Sequence, residues 1–244
     1  MVSTQPPSAN LQRQSLRDEV FHYLHDRVIE GAFQPGQWLR QEDIASQLGV
    51  SMTPVREALD LVVAAGLAER VPYRGVRVVE LSRDEMLDAY GLRLLLEPAA
   101  TRLTAERADP LQVKELKRIH AQTTELVALA DMSQLRQLSR AFHAQVVAMS
   151  NDPLLVRIYQ IAANKFPDWM LYEAMHHHPE KLSASLRAEQ KQHAAIVSAI
   201  AANDCETASR AARDHILSLG KDLQTYLKIP RELIEEKEQQ FIPR

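Results

Sequence analysis

Residues 41–79 read QEDIASQLGVSMTPVREALDLVVAAGLAERVPYRGVRVV. In its first part, from Glu42 to Leu48, the residues Ile44, Ala45 and Leu48 fall on one face of a short helix. Gly49 follows, free to take the left-handed conformation that turns a chain sharply at a helix end. Val50 supplies an apolar plug for that corner. Thr53-Pro54 predicts a new helix, with the hydroxyl as N-cap and proline at the first helical position. Val55, Leu59, Val62 and Val63 recur at helical spacing and are expected to bury against the first helix. Two short helices joined by a tight glycine turn form the helix-turn-helix pattern.

The following residues add a wing. Gly66 can stop the second helix, and Leu67–Val71 can run as a strand. Pro72-Tyr73-Arg74-Gly75 supplies turn chemistry, and Val76, Val78 and Leu81 alternate on one side of a returning strand. Such folds place the second helix in the major groove with its N-terminal residues at the base edges. The expected DNA-facing residues are therefore Ser51, Met52, Thr53 and Arg56, with Arg40 just ahead of the first helix and Arg74, Gly75 and Arg77 on the wing. An arginine so placed can grip guanine O6 and N7 with two hydrogen bonds.

SMTPVREAL, preceded by GAFQPGQWLRQEDIASQLGV and followed by GLAERVPYRGVRV, resembles the GntR family of bacterial transcription regulators. Gly31, Pro35, Gly36 and Leu39 keep that family's approach to the motif. Met52 stands where the family generally carries arginine, which removes one DNA contact the resemblance implies.

The rest of the composition sets limits. A chain of 244 residues holds one large or two modest domains. A lone cysteine, Cys205, excludes a disulfide framework and fits a reducing cytoplasm. No apolar run reaches membrane-spanning length, and residues 1–10 read as a polar, disordered arm without a signal-peptide core. The net charge of −3 carries no global nucleic-acid signal. Even residues 11–81 hold eight arginines and no lysine against ten acidic residues, so any DNA contact must come from arginines gathered locally on the recognition helix and wing.

Leu16, Val20, Leu24 and Val28 form one helical stripe, the first helix of a three-helix head covering residues 11–81. Ser82-Arg83-Asp84-Glu85 reads as a cap and acidic first turn of a new helix. Beyond it glycine nearly disappears and apolar residues keep a helical period. Capping residues paired with proline or a further cap delimit helices near 83–107 (bent or broken near Pro98), 110–129, 132–150, 153–176 (disturbed near Pro167), 179–202 and 204–227. The expected fold is mainly α, with an N-terminal winged helix-turn-helix (three helices and a two-stranded wing) and an all-α antiparallel bundle at 82–228. A charged tail at 229–244 either docks or stays mobile.

Leu92–Glu97, Phe142-His143, Gln192–Val197 and Arg213–Ile216 resemble the FCD effector domain of the FadR-type branch of GntR regulators. That resemblance implies a divalent metal held by an aspartate and three histidines, with a small carboxylate beside it. The histidines carry over as His143, His193 and His215. The aspartate does not: four residues before His143 stands Ser139, and no Asp or Glu lies within a turn of His143 on its helix. Three imidazoles can still hold Zn²⁺ or Ni²⁺, and without a metal the histidines can grip an anionic effector directly. Arg93, Ser139, His143, His193 and His215 are the expected effector-binding residues.

Arg93 has two readings, an i,i+4 ion pair with Glu97, which is favoured, or a receptor for an effector carboxylate. His176-His177-His178 reads as a solvated helix end rather than a metal tract, since adjacent helical residues point apart. Trp169, Met170, Tyr172 and Met175 read as plain core, with a ligand cavity as the alternative. Leu94-Leu95-Leu96 is wider than one core stripe and suits a dimer seam. A zinc hydrolase using the three histidines lacks a nucleophile elbow, a Gly-rich phosphate loop, an HExxH motif and a carboxylate that stands out as general base, so no catalytic residue is expected. A ligand-free architectural DNA-binding protein explains the core histidines less well. The expectation is a cytoplasmic homodimeric regulator, a repressor, that binds palindromic double-stranded operator DNA and answers to a carboxylate-type effector, with no membrane partner.

Overall fold

The computed structural model describes residues 16–80, 82–124, 126, 131–166 and 168–242. The polar segment 1–10, Leu81 and Pro167 lie outside that range. The head consists of α1 (Leu16–Ile29), β1 (Trp38–Leu39), α2 (Gln41–Leu48), α3 (Met52–Ala64), β2 (Ala68–Val71) and β3 (Gly75–Val78). Val20, Leu24 and Val28 of α1 bury against Val55, Leu59 and Val62 of α3, as the apolar stripes require. Gly49 closes α2 in the left-handed conformation at φ 66°, a position that disfavours any side chain with a Cβ.

The recognition helix starts earlier than its proline predicts. Ser51, not Thr53, occupies the N-cap with extended backbone, and Pro54 is the third helical residue. Its missing N–H costs nothing there, because the first turn of a helix has no intrahelical acceptors for those groups. The sheet has three strands where two are expected, in the order β1-β3-β2. Trp38–Leu39 pairs antiparallel with β3 and anchors the wing to the loop before α2.

The bundle contains α4 (Arg83–Arg107), α5 (Pro110–Thr123), α6 (Met132–Ala148), α7 (Pro153–Lys165), α8 (Asp168–His176), α9 (Pro179–Ala201), α10 (Cys205–Tyr226) and α11 (Arg231–Phe241). Helix α4 opens on a capping box between Ser82 and Glu85. Of the bend or break expected near Pro98, the break does not occur, and the helix runs on through that residue. The segment 153–176, expected to be disturbed near Pro167, divides between Lys165 and Asp168 into α7 and α8. Within 229–244, α11 lies against α4. Ile234 is buried, Lys237 pairs with Asp88 at 2.9 Å, and the Phe241 ring fills the space left by Gly91, where a Cβ would stand 2.6 Å from the ring.

Head and bundle share one apolar core. Trp169, Leu171, Tyr172 and Met175 of α8, with Met132 and Leu135 of α6, join the same cluster as the head's Val55 and Leu59.

Candidate functional site

Three helices bring the histidines together: His143 from α6, His193 from α9 and His215 from α10. All three are buried. His143 Nε2 lies 3.3 Å from His193 Nε2 and 3.2 Å from His215 Nε2. Four ligands around an ion with Zn–N of about 2.0–2.1 Å stand about 3.3 Å apart, so these separations suit a shared cation. The Phe142 ring stacks on His193 with centroids 4.1 Å apart and fixes its plane.

The outer nitrogens decide which way the lone pairs point. Arg93 Nε donates to Glu97 Oε1 at 2.5 Å, and His143 Nδ1 stands 2.9 Å from Glu97 Oε2. Burial opposes charge on Glu97, yet Arg93 and His143 hold its carboxyl far below the usual range. An ionised carboxylate only accepts, so His143 Nδ1 donates, and in a neutral ring this leaves the Nε2 lone pair facing the other rings. His215 Nδ1 donates likewise to Gln192 Oε1 at 2.9 Å. Two lone pairs then face each other at 3.2 Å, a contact that a cation between them turns from repulsive to binding. This carboxylate-and-amide support of ligating imidazoles is the usual second layer of a metal site. Burial, and then the neighbouring rings, push the titration of His193 and His215 well below the ordinary range, which keeps them in the neutral, ligating form. The residues present fit a divalent metal.

His143 and His215 line a cavity of about 510 Å³, together with Arg93, Ser139, Tyr159, Glu189 and Asp222 among others. Ser139 Oγ donates to Glu189 Oε1 at 2.8 Å. Glu189 sits four residues before His193 on α9, with Oε1 3.9 Å from His193 Nε2. Burial, and then the Glu189 charge, push the Asp222 carboxyl up to about 7. Tyr172 and Met175 line the cavity and also belong to the core, whereas Trp169 is core alone. Arg93 is buried and committed to Glu97, the favoured reading of that pair, and it also borders the cavity. Sequence reasoning missed Glu189 and Glu97 as partners of the histidines; the Glu189-x-x-x-His193 spacing was the available signal. His177 is exposed, and His178 packs near Tyr226.

The far wall of the cavity leads to the head. Asp168, which lines the cavity, accepts from Arg136 Nη2 at 2.8 Å and from Arg140 Nη1 at 3.2 Å. Burial works against its charge, but the two guanidiniums hold its carboxyl below the usual value. Arg136, 1% exposed, also donates to the carbonyl of Ala65, the C-cap of α3, at 3.0 Å, and meets His25 Nε2 of α1 at 3.2 Å. A buried arginine thus ties the end of the recognition helix to the two cavity helices α6 and α8.

On the head, Ser51, Met52, Thr53 and Arg56 at the start of α3 are exposed, as are Arg40, Arg74 and Gly75. Arg40, Arg74 and Gly75 border one groove. Among the described residues, Arg40, Arg56 and Arg74 form no ion pair, whereas Arg70 pairs with Asp60 and Arg77 with Glu69 at 2.7 Å. Arg77 also lies over the Trp38 ring, so it braces the wing instead of reaching from it. Tyr73, fully exposed at the wing tip with φ 62°, is a further candidate contact.

Residues 88–218 match the FCD domain family, and residues 16–78 match the bacterial regulatory proteins of the gntR family. A winged head joined to a helical effector domain is the architecture of a transcription regulator, and this chain is one. It belongs to the GntR family, in the group whose members carry an FCD domain. It is 29% identical over 203 residues to the HTH-type transcriptional regulator McbR of Escherichia coli K12, covering 82% of this chain and 89% of that protein. It is 27% identical over 206 residues to the E. coli K12 transcriptional repressor GlaR, covering 81% and 91%. The solved structure of E. coli McbR/YncC superposes with a TM-score of 0.62 at 25% identity, over 87% of this chain and 99% of that one. A GntR regulator from Rhodococcus sp. RHA1 shares the fold, with a TM-score of 0.60 at 22% identity over 88% and 99%. Among the described residues, no helix is long and apolar enough to cross a membrane.

Proposed function

We propose that the protein is a homodimeric repressor of the cytoplasm, which binds a short palindromic operator and is released by a small carboxylate metabolite held in the bundle cavity. The observation that carries this reading is the joining of three buried imidazoles to a cavity whose opposite wall is bonded to the end of the recognition helix. We assign no catalytic residue.

His143, His193 and His215 would hold a divalent ion such as Zn²⁺ or Ni²⁺, with Glu97 and Gln192 orienting two of the rings. When bound, such an ion supplies a positive anchor for a carboxylate oxygen. Asp222, titrating at about 7, is in part protonated at neutral pH and can donate a hydrogen bond to that same carboxylate. Arg93, its charge matched by Glu97, shapes the pocket more than it attracts the anion.

Release requires an effector with different affinities for the operator-bound and free conformations. Asp168 is the natural reporter, because a ligand against it disturbs Arg136 and thereby the C-terminal end of α3. In the head, Arg56, Arg40, Arg74 and Gly75 would meet DNA, with Ser51, Met52 and Thr53 nearest the base edges.

The test begins with an operator selected from a random duplex library by the purified protein. A thermal-shift panel of small carboxylates, run with Zn²⁺ and again after EDTA, then finds the effector. The acid that stabilises most should lower operator affinity at least tenfold. His193→Ala should keep operator affinity and lose that response. A variant that still responds fully, or a panel in which no carboxylate acts, overturns the proposal.

A further inference from the structure

The metal-binding reading leaves one ligand unexplained, since Ser139 stands four residues before His143, where the resemblance to the FCD domain implies an aspartate. We propose that Glu189 on α9 supplies the acidic ligand in its place, and that Ser139 has become the residue that aims it. The inference rests on the proposed metal site and assigns the carboxylate that completes it.

Glu189 and His193 are four residues apart on one helix, so both project from the same face toward the same point. Glu189 Oε1 already lies 3.9 Å from His193 Nε2, slightly beyond the spacing expected of two ligands on one ion. Glu189 stands outside the group of three whose ligating atoms lie within 4.8 Å of one another, so its three-bond side chain must swing toward the other two rings when an ion binds. Ser139 Oγ, on the opposite helix α6, donates to the same oxygen at 2.8 Å. A shorter residue at 139 makes room for the longer one at 189, and its hydroxyl holds the incoming carboxylate at the place an aspartate would have filled.

The other acids are accounted for differently. Glu97 is bound to Arg93 and to the outer nitrogen of His143, on the side of the ring away from the other histidines. Asp222 lies on α10, seven residues beyond His215, and borders the cavity. With Glu189 as ligand, α9 contributes two groups to the ion and α6 only one. Three neutral imidazoles and one carboxylate would leave a divalent site with a net charge of +1, still attractive to an anionic effector.

The experiment uses the untagged full-length protein, stripped with chelator and reloaded with Zn²⁺ or Co²⁺ alone. Zn²⁺ affinity is read by competition with a chromophoric chelator, and the ligand field by the visible spectrum of bound Co²⁺. Wild type should bind one ion per chain. Glu189→Gln should weaken Zn²⁺ binding by about 10–100-fold or more and change the Co²⁺ spectrum. Glu173→Gln, which removes an acid of α8 outside the cavity lining, should stay within about twofold of wild type. Adding Ser139→Asp to Glu189→Gln should restore affinity by rebuilding the acid on α6. Circular dichroism and melting report whether each variant folds. If Glu189→Gln does not fold, Glu189→Asp and Ser139→Ala take its place, with a shifted spectrum and weaker binding expected. Wild-type affinity and spectrum in the folded Glu189 variants would overturn the assignment while leaving the metal site standing. A wild-type protein that binds neither ion overturns the metal reading and this assignment with it.

Discussion

On the proposed reading DNA contact turns on Arg56, which stands exposed and without an ion pair one turn into the recognition helix. Arg56→Ala should cost about 1–3 kcal/mol for each head placed on the operator and leave the melting of the bundle unchanged. Fluorescence anisotropy against the selected operator, beside a thermal melt, checks both halves. Equal affinity in a folded variant removes Arg56 from the interface. At the same scale, His25 makes a pH prediction. Its ring is buried, with Arg136 donating to Nε2, Ser133 Oγ at 2.6 Å from Nδ1, and Asp26 and Asp168 nearby. Burial first, then the guanidinium, hold its titration below the ordinary 6.5, despite the opposing pull of Asp26. The unfolded chain therefore takes up a proton that the folded one resists. The contribution is complete above pH 6.5 and is lost as the pH falls below it. Denaturant melts between pH 5 and 7 should show His25→Gln with a shallower loss of stability on acidification than wild type. Identical slopes would show that His25 is not the group responsible.

At the scale of elements, α6 is the connector. It presents His143 and Ser139 to the cavity region, and one turn earlier it sends Arg136 to the recognition helix. Removing one member of a buried ion pair is destabilising by about 3–5 kcal/mol, though Arg140 remains to satisfy Asp168 in part. Arg136→Ala should therefore lower stability by up to about that amount, and should retain effector binding while reducing the effector's influence on operator affinity. Calorimetric titration of the effector with and without operator measures that coupling directly. Unchanged coupling in a folded variant would mean that the signal travels by another route.

The elements also divide into those local sequence settles and those it does not. The Ser82 and Asp109 capping boxes and the Asp152 and Asp204 caps lie where capping residues precede helices, since a helix start needs only its own side chains. Pro98 was a poor guide, because packing of α4 against α7 and α10 sustains a helix past one lost hydrogen bond. Strand β1 is two residues long and is invisible without its partner. Helix α11 depends on the notch at Gly91, 150 residues away from Phe241 in the chain.

The whole molecule leaves an apolar surface uncovered on two adjacent helices. Leu92 and Leu95 of α4 are exposed, and Leu154, Ile158 and Ile161 recur along one exposed stripe of α7. Leu94 turns inward, so any seam is built from Leu92 and Leu95 rather than from the full leucine run. A patch of this kind suits the two-fold contact between copies that the proposed reading of a palindrome calls for. Ile158→Glu should convert a dimer to a monomer in sedimentation equilibrium at micromolar protein and weaken operator binding by at least 100-fold through lost avidity. A dimeric variant would place the interface elsewhere.

Sequence alone determined the winged head, the helical bundle and the identity of the three histidines. The head and the bundle rest on local periodicity and turn chemistry contained in short stretches, and the histidines on the resemblance of such stretches to the FCD domain. Only the tertiary structure decided which carboxylates stand beside those histidines and how the cavity reaches the recognition helix. Glu97, Ser139, Glu189 and Asp168 come from four different helices, and Arg136 meets Ala65 across 71 residues of chain. Such meetings follow from how helices cross and which side chains they leave room for, and neither is written in the periodicity of any one of them.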